Sequence, residues 1–114
     1  MLQALNLMND PTYVEAARLL AQRMMSEGGA STEERLTRGF RLILARPPHA
    51  SELAVLTRAY ERALRQFQAD AAGAEQLLQV GEVRNDLRLD PAELAALTTV
   101  ASTLLCMDTT ITKE

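Results

Sequence analysis

The sequence predicts an all-α fold, namely an antiparallel bundle or array of about five short helices. Composition is the first reason, because Leu (19 residues) and Ala (18 residues) make up about a third of the 114 residues, and both favour helices. Aromatic residues make up only 4% and Trp is absent, so few sheet-forming side chains are available. Helix-capping residues that recur along the chain, and apolar residues spaced three and four apart, are the other two reasons. We expect residues 1–114 to form a single helical domain or a C-terminal subdomain of a larger protein.

The first predicted helix begins at Asp10 and Pro11. Asp is a favourable N-cap, and Pro fits the first turn of a helix because the backbone N–H that it lacks would have no partner there. Gly28-Gly29 marks the end of this helix, since Gly is common just after a C-terminus. The short apolar run of residues 2–8 that precedes it is also predicted to be helical.

Two further helices are predicted before the middle of the chain. Ser31 and Glu34 form the capping-box pattern, in which each side chain accepts a bond from the other residue's backbone N–H. Pro47-Pro48 ends this helix, because the residue before a proline avoids the helical conformation. A third helix follows from about Ala50. Its apolar stripe consists of Leu53, Leu56, Tyr60, Leu64 and Phe67.

The second half of the chain predicts two more helices. A break over residues 70–73 precedes a helix of about two turns over residues 74–80. Residues 82–89 are polar and are predicted to form a loop. Asp90-Pro91 repeats the start signal of the first helix, and the last helix is predicted to end near Met107, before an extended tail.

Net charge and hydropathy argue against several classes of protein. The formal net charge is −3 and the pI is about 5.2, whereas nucleic-acid binding usually requires a basic surface. The longest stretch without charge, Leu94–Met107, is shorter than the roughly 20 residues of a membrane span. The N-terminal ten residues lack the basic start of a signal peptide. We therefore expect a buried amphipathic helix at Leu94–Met107 and no membrane span.

The sequence predicts no catalytic residues, cofactor or metal. His49 and Cys106 are the single His and the single Cys, 57 positions apart, so zinc-ligand spacing, haem attachment and an intramolecular disulfide are all excluded. Oxygen ligands occur at Asn85, Asp86 and Asp90, but the central Gly and terminal Glu of a calcium loop are missing. The sequence instead favours Asp90 as the cap of the last helix, rather than as a calcium ligand. These observations favour a non-enzymatic protein without deciding the question.

Two stripes of arginine leave two interpretations open. Arg35, Arg38 and Arg41 follow one another on the second helix, and three more arginines lie on the third helix at Arg58, Arg62 and Arg65. Facing stripes would form an anion-binding groove. Alternatively, the arginines are solvated and pair within their own helices, as the spacing of four residues in Glu34–Arg38 and Glu61–Arg65 allows.

Three stretches together resemble a known family. They are residues 5–18 (LNLMNDPTYVEAAR), residues 40–48 (FRLILARPP) with Glu52-Leu53, and residues 90–96 (DPAELAA) continuing to LLCMD at residues 104–108. They resemble the C-terminal end of the planctomycete-specific domain of unknown function, which closes large proteins that often also carry a planctomycete-type cytochrome c domain. The order and spacing match from about Leu2 to the last residue. Near the end, the family tends to read NLDEF where residues 106–110 read CMDTT.

The resemblance implies a place for this chain in a larger protein. The chain would be the tail of a longer exported protein of the cell envelope, although the chain itself indicates no localisation. Any haem would belong to another domain of that protein, and no catalytic residues are carried over from the family. The matched polar positions become candidates for interactions: Asn9, Asp10, Glu15, Arg18, Arg41, Arg46 and Asp108.

Three functions remain as hypotheses. The first is a non-catalytic interaction or structural module, which packs on upstream domains of a parent protein or on a protein partner. Its methionines would adapt to such a surface, and self-association is a further expectation. The second is an enzyme fragment in which Asn9, Arg18, Arg41 or Asp108 complete an active site that is mainly upstream. The third is a small binder of anions or nucleic acid through the arginine-bearing helices.

Overall fold

Five helices pack together in the computed structural model, which describes residues 11–79 and 89–112, with side chains described up to residue 107. No strand occurs in these residues, so the prediction of an all-α fold is confirmed. The predicted helix at residues 2–8 and most of the predicted loop at residues 82–89 lie outside the described residues. In chain order the helices are α1 (Pro11–Glu27), α2 (Thr32–Leu44), α3 (Ala50–Ala69), α4 (Ala71–Leu78) and α5 (Pro91–Thr112).

Helix α5 lies at the centre of the fold and packs against each of the other four helices. It is apolar on almost every side, which is typical of a helix surrounded by other helices. The Thr98 hydroxyl is buried among these side chains and donates to the Leu94 carbonyl oxygen at 2.7 Å. No described helix combines the length and the hydropathy that a membrane crossing requires. The buried residues of α5 are Leu94, Ala95, Ala96, Leu97, Thr98, Val100, Ala101, Ser102 and Leu104.

The turn between α1 and α2 follows the predicted signals. Helix α1 ends at Glu27, and Gly29 takes a positive φ of 100°. The capping box of Ser31 and Glu34 is formed, because the Glu34 N–H donates to the Ser31 hydroxyl at 3.1 Å and the Ser31 N–H donates to the Glu34 carboxylate at 3.2 Å. These bonds from Ser31 lower the pKa of Glu34.

The break between α3 and α4 is shorter than predicted. One residue, Asp70, separates the two helices, and α4 covers Ala71–Leu78 rather than residues 74–80. The Asp70 carboxylate accepts a bond from the Gly73 N–H at 3.0 Å, so the predicted breaker is itself the cap of the next helix. A Cβ at Gly73 would lie 3.0 Å from the Asp70 Cγ, which explains why Gly occupies the first turn of α4.

The two ends of α5 differ in how well they were predicted. At the start, the Glu93 N–H donates to the Asp90 carboxylate at 2.9 Å, so Asp90 is the predicted cap. At the other end the helix continues to Thr112, and the prediction of an extended tail is wrong for residues 108–112. Residues 108–112 contain neither Gly nor Pro, and extending an existing helix costs far less than starting one.

Candidate interaction surface

The turn that joins α2 to α3 is held by an ion pair between Arg46 and Glu52. The two guanidinium nitrogens Nη1 and Nη2 donate to the two carboxylate oxygens, each at 2.9 Å. This two-bond geometry fixes direction as well as distance. The Arg46 guanidinium also lies over the Phe40 ring, 4.9 Å from its centre. Arg46 therefore positions the Pro47-Pro48 turn against the end of α2.

Glu52 accepts a third bond, from the backbone N–H of His49 at 2.8 Å. The Arg46 guanidinium, followed by this N–H, lowers the pKa of Glu52 to about 2. His49 is the N-cap of α3, and the helix begins at Ala50, where the sequence predicts its start. The Glu52 carboxylate thus binds the Arg46 side chain and also caps the first turn of α3.

An apolar groove lies beside this turn. It has a volume of about 260 Å³ and runs between the start of α3 and the second half of α5. Val55 is on its edge with 56% of its surface exposed, and no other large hydrophobic side chain in the described residues is exposed. A medium-sized apolar side chain would fit this space. The groove is lined by Phe40, Ser51, Glu52, Val55, Leu56, Thr103 and Met107.

Two of the three arginines in the α2 stripe are paired with carboxylates of other helices, while Arg41 is exposed. Arg35 Nη1 lies 3.4 Å from the Glu93 carboxylate of α5, and Arg38 Nη2 lies 2.8 Å from the Glu27 carboxylate of α1. The expected Glu34–Arg38 pair is wrong, because Glu34 belongs to the capping box.

Glu27 joins two arginines into one small network. Its second carboxylate oxygen lies 2.9 Å from Nε of Arg23 on α1. The hydrogen bonds from Arg23 and Arg38 lower the pKa of Glu27 to about 2. Arg38 and Arg35, which lie one turn apart on α2, therefore pair with carboxylates on different helices, α1 and α5.

The arginines of α3 behave differently. Arg58, Arg62 and Arg65 are all exposed, and within residues 11–79 and 89–112 no carboxylate lies within ion-pair distance of them. The expected pair of Glu61 with Arg65 is not formed in this part of the chain. Three cations in a row therefore face solvent on one side of α3.

Helix α1 is anchored to α5 through Tyr13. Its hydroxyl donates to the Ser102 carbonyl oxygen at 3.1 Å, and the Cys106 thiol lies within hydrogen-bonding reach of the same hydroxyl. Burial, followed by the neighbouring thiol, raises the pKa of Tyr13. Cys106 is not in a disulfide and is half-buried.

Arg18 lies in the interior of the fold, although it is a candidate for interactions. None of its surface is exposed, and its Nη2 lies 3.7 Å from the carboxylate of Glu15, which is one turn earlier on α1. A buried cation needs such partners, since removing it from water is costly. The structure therefore brings Glu15 and Arg18 together as an internal pair.

The remaining candidates are dispersed. Arg41 is exposed on α2, whereas Arg46 is committed to the turn with Glu52. Asn9 and Asp10 lie outside the described residues, and Asp108 lies in α5 beyond the last described side chain.

Two other groups of residues are the possible metal ligands and the methionines. In the described ranges, no group of three His, Cys, Asp or Glu side chains is placed to hold a metal ion, and Asn85 and Asp86 fall outside those ranges. Met24 and Met25 are buried in the core, whereas Met107 lines the groove.

Glu52 and Val55, which line the groove, and Tyr13, which joins α1 to α5, were not predicted as site residues. The contact of Glu52 with the start of α3 could have been predicted, because Glu52 stands three residues after His49, at the position that closes a capping box. The exposure of Val55 could also have been predicted, since Val55 is an apolar residue outside the apolar stripe of α3. For Tyr13, only the fold reveals a partner 89 positions away.

Comparison with known proteins gives one family. The family PSD1, described as "Protein of unknown function (DUF1553)", matches residues 1–60, which include α1, α2 and the first half of α3. The third stretch of the resemblance, residues 90–108, lies beyond these residues. No curated protein and no solved structure matches the chain. Because the match spans more than half of the 114 residues, the chain belongs to the PSD1 family of proteins of unknown function.

Proposed function

We propose that this chain is a helical structural and interaction module of a larger cell-envelope protein. In this proposal it packs on the preceding part of that protein through the groove beside Val55. The resemblance of residues 5–18, 40–53 and 90–108 supports the place at the end of a longer exported protein. Membership in the PSD1 family is compatible with it but assigns no activity.

The observation that carries the proposal is the exposure of Val55 at the edge of an apolar groove. Fully burying a valine side chain contributes about 1.5–3 kcal/mol, and more than half of the Val55 surface is exposed. A partner side chain that fills the groove would cover Val55 and the part-exposed Met107, and it would rest on Phe40 and Leu56, which are already buried. The groove is thus an apolar surface whose burial would stabilise a complex.

The family match includes most of this groove. Five of its seven lining residues fall within residues 1–60, while α5 supplies the other two, Thr103 and Met107. The Arg46–Glu52 pair fixes the turn beside it. The motif FRLILARPP with Glu52 therefore builds one wall of the surface, which supports a role in contact rather than in chemistry.

The test measures binding of the chain to the polypeptide that precedes it in its gene, produced as a separate protein. Isothermal titration calorimetry should detect a complex with the wild-type chain. Val55→Asp should weaken that complex about tenfold, equivalent to about 1.4 kcal/mol, by placing a charge in the groove. The matched control is Ala71→Asp, which adds the same charge at an exposed position at the start of α4.

Two results would contradict the proposal. One is the absence of any complex between the wild-type chain and the preceding polypeptide. The other is equal weakening by Val55→Asp and Ala71→Asp, which would show that charge alone, and not the groove, determines binding.

A further inference from the structure

Helix α3 carries a second line of residues opposite its buried face. Its core-facing side chains are Leu56, Tyr60 and Ala63. On the other side, six exposed residues follow one another at spacings of four, three, four, three and four. We name this line the outer seam of α3, and it consists of Ser51, Val55, Arg58, Arg62, Arg65 and Ala69.

The spacing of the outer seam places its side chains in one row along α3, which a partner helix could follow. Alternating steps of three and four residues keep side chains in one row along a helix, and coiled-coil contacts use this same alternation. The ten steps from Val55 to Arg65 correspond to about 15 Å of helix, at about 1.5 Å per residue. A partner helix lying along α3 would therefore meet every residue of this row.

The positive charge of the outer seam indicates a partner that carries carboxylates. Arg58, Arg62 and Arg65 have no carboxylate partner in the described part of the chain, and the like charges of Arg58 and Arg62, one turn apart, repel each other. Guanidinium groups bind carboxylates through paired hydrogen bonds, and Arg is enriched at protein interfaces. The arginines that do pair with carboxylates elsewhere are Arg18, Arg23, Arg35, Arg38 and Arg46.

We infer that the outer seam of α3 binds an acidic helical segment of a protein, whose carboxylates face Arg58, Arg62 and Arg65 and whose apolar side chain enters the groove at Val55. The inference rests on the proposed function, because it names the chemistry of the segment that covers the groove. It combines two independent observations on one helix face, the exposed valine and an arginine row with no carboxylate partner among residues 11–79 and 89–112.

A protein segment fits this surface better than nucleic acid does. The row continues into a groove walled by Phe40, Leu56 and Met107, which phosphate groups would leave unfilled. The net charge of −3 also opposes the approach of a long nucleic acid more than that of a short helix that carries only a few carboxylates.

The test uses two synthetic helical peptides of identical composition and the full 114-residue chain. In the first peptide, three Glu residues spaced like Arg58, Arg62 and Arg65 lie in one row, with a Leu one turn beyond them. In the second, the same residues are distributed around the helix. Fluorescence anisotropy at about 0.1 M salt, where charges are screened beyond about 10 Å, should show about tenfold tighter binding of the first peptide.

Matched variants assign the binding to the seam. Replacing Arg58, Arg62 and Arg65 with Gln should weaken binding of the first peptide about tenfold. Replacing Arg23, Arg38 and Arg41 with Gln removes the same total charge from α1 and α2, and it should have less than a twofold effect. Equal effects of the two triple variants, or equal binding of the two peptides, would overturn the inference. Tighter binding of an oligothymidylate than of the acidic peptide would also overturn it, in favour of nucleic acid.

The seam and the proposed function can fail separately. If the preceding polypeptide binds the wild-type chain and the α3 triple variant equally well, the inference is wrong while the proposed function stands. If that polypeptide does not bind at all, the proposed function is wrong.

Discussion

The Tyr13 hydroxyl donates a hydrogen bond to the Ser102 carbonyl oxygen at 3.1 Å. Tyr13 is in the first turn of α1, and Ser102 is in the middle of the central helix α5. One partner belongs to the residues that match the PSD1 family and the other lies beyond them. The bond therefore ties the matched segment to the helix around which the rest of the chain packs.

Tyr13→Phe should lower the free energy of unfolding by about 1 kcal/mol, because it removes this hydrogen bond and keeps the ring. Urea denaturation followed by circular dichroism measures the change. Tyr60→Phe is the matched control, since Tyr60 is buried but its hydroxyl makes no hydrogen bond with another described residue. A loss at Tyr60 as large as that at Tyr13 would contradict the importance of the Ser102 bond.

The caps were predictable from sequence because their partners are close along the chain. Ser31 and Asp90 each cap a helix through a residue three positions later, so the pattern is visible in a short window. For Asp70 the sequence predicts the end of α3 but not the start of α4, because the same residue caps both helices. A short window shows the break but not its length.

The partners of the arginines depend on tertiary packing. Arg35 pairs with Glu93, 58 positions away, and no local pattern indicates that choice. Sequence reasoning placed Arg38 beside Glu34, yet the approach of α1 offers Glu27 instead. The arginine row of α3 is visible in the sequence, but its lack of carboxylate partners within the described ranges depends on how the helices pack.

The pKa of Glu52 predicts a pH-dependent contribution to stability. The pKa is about 2 in the fold, against an ordinary value of 4.5. Between these values the unfolded chain binds more protons than the native one, so stability falls as the pH is lowered through this window. Glu52→Gln should be less stable than the wild type at pH values above the window, and the difference should shrink towards about pH 2.

Thermal denaturation at several pH values tests this. Glu75→Gln is the control, because the Glu75 carboxylate is exposed and has no ion pair in the described residues. It should give a curve parallel to the wild type. A Glu52→Gln curve that is also parallel would show that the Arg46 and His49 contacts do not hold the carboxylate ionised.

The close approach of α1 and α2 predicts that Gly28→Ala destabilises the fold. A Cβ at Gly28 would lie 2.7 Å from the Arg35 Cα and would also meet the Met24 carbonyl oxygen, so backbone would have to move. We expect a loss of about 2 kcal/mol in the free energy of unfolding. In Gly39→Ala the three atoms nearest to the new Cβ all belong to the flexible Met24 side chain, and Ala favours the helix, so the loss should be smaller. Equal losses in urea denaturation would contradict this explanation.

Ala45 predicts a substitution that stabilises the protein. It is the C-cap of α2 with φ 61° and ψ 23°, a left-handed conformation that costs an L-residue about 1–2 kcal/mol. Gly removes this cost but gains about 0.4–1 kcal/mol of freedom in the unfolded chain. Ala45→Gly should therefore raise the free energy of unfolding by about 0.5–1 kcal/mol.

The control for Ala45→Gly is the same substitution in a regular helix. Ala54 is exposed within α3, and Ala54→Gly should lower the free energy of unfolding by about 1 kcal/mol, because Gly disfavours a helix interior. Urea denaturation of the two variants should thus give changes of opposite sign. A decrease in both would show that the turn before Pro47 does not hold Ala45 in the left-handed conformation in solution. That result would also weaken the case for Arg46 and Glu52 as residues that fix this turn, since their ion pair lies just beyond the cap.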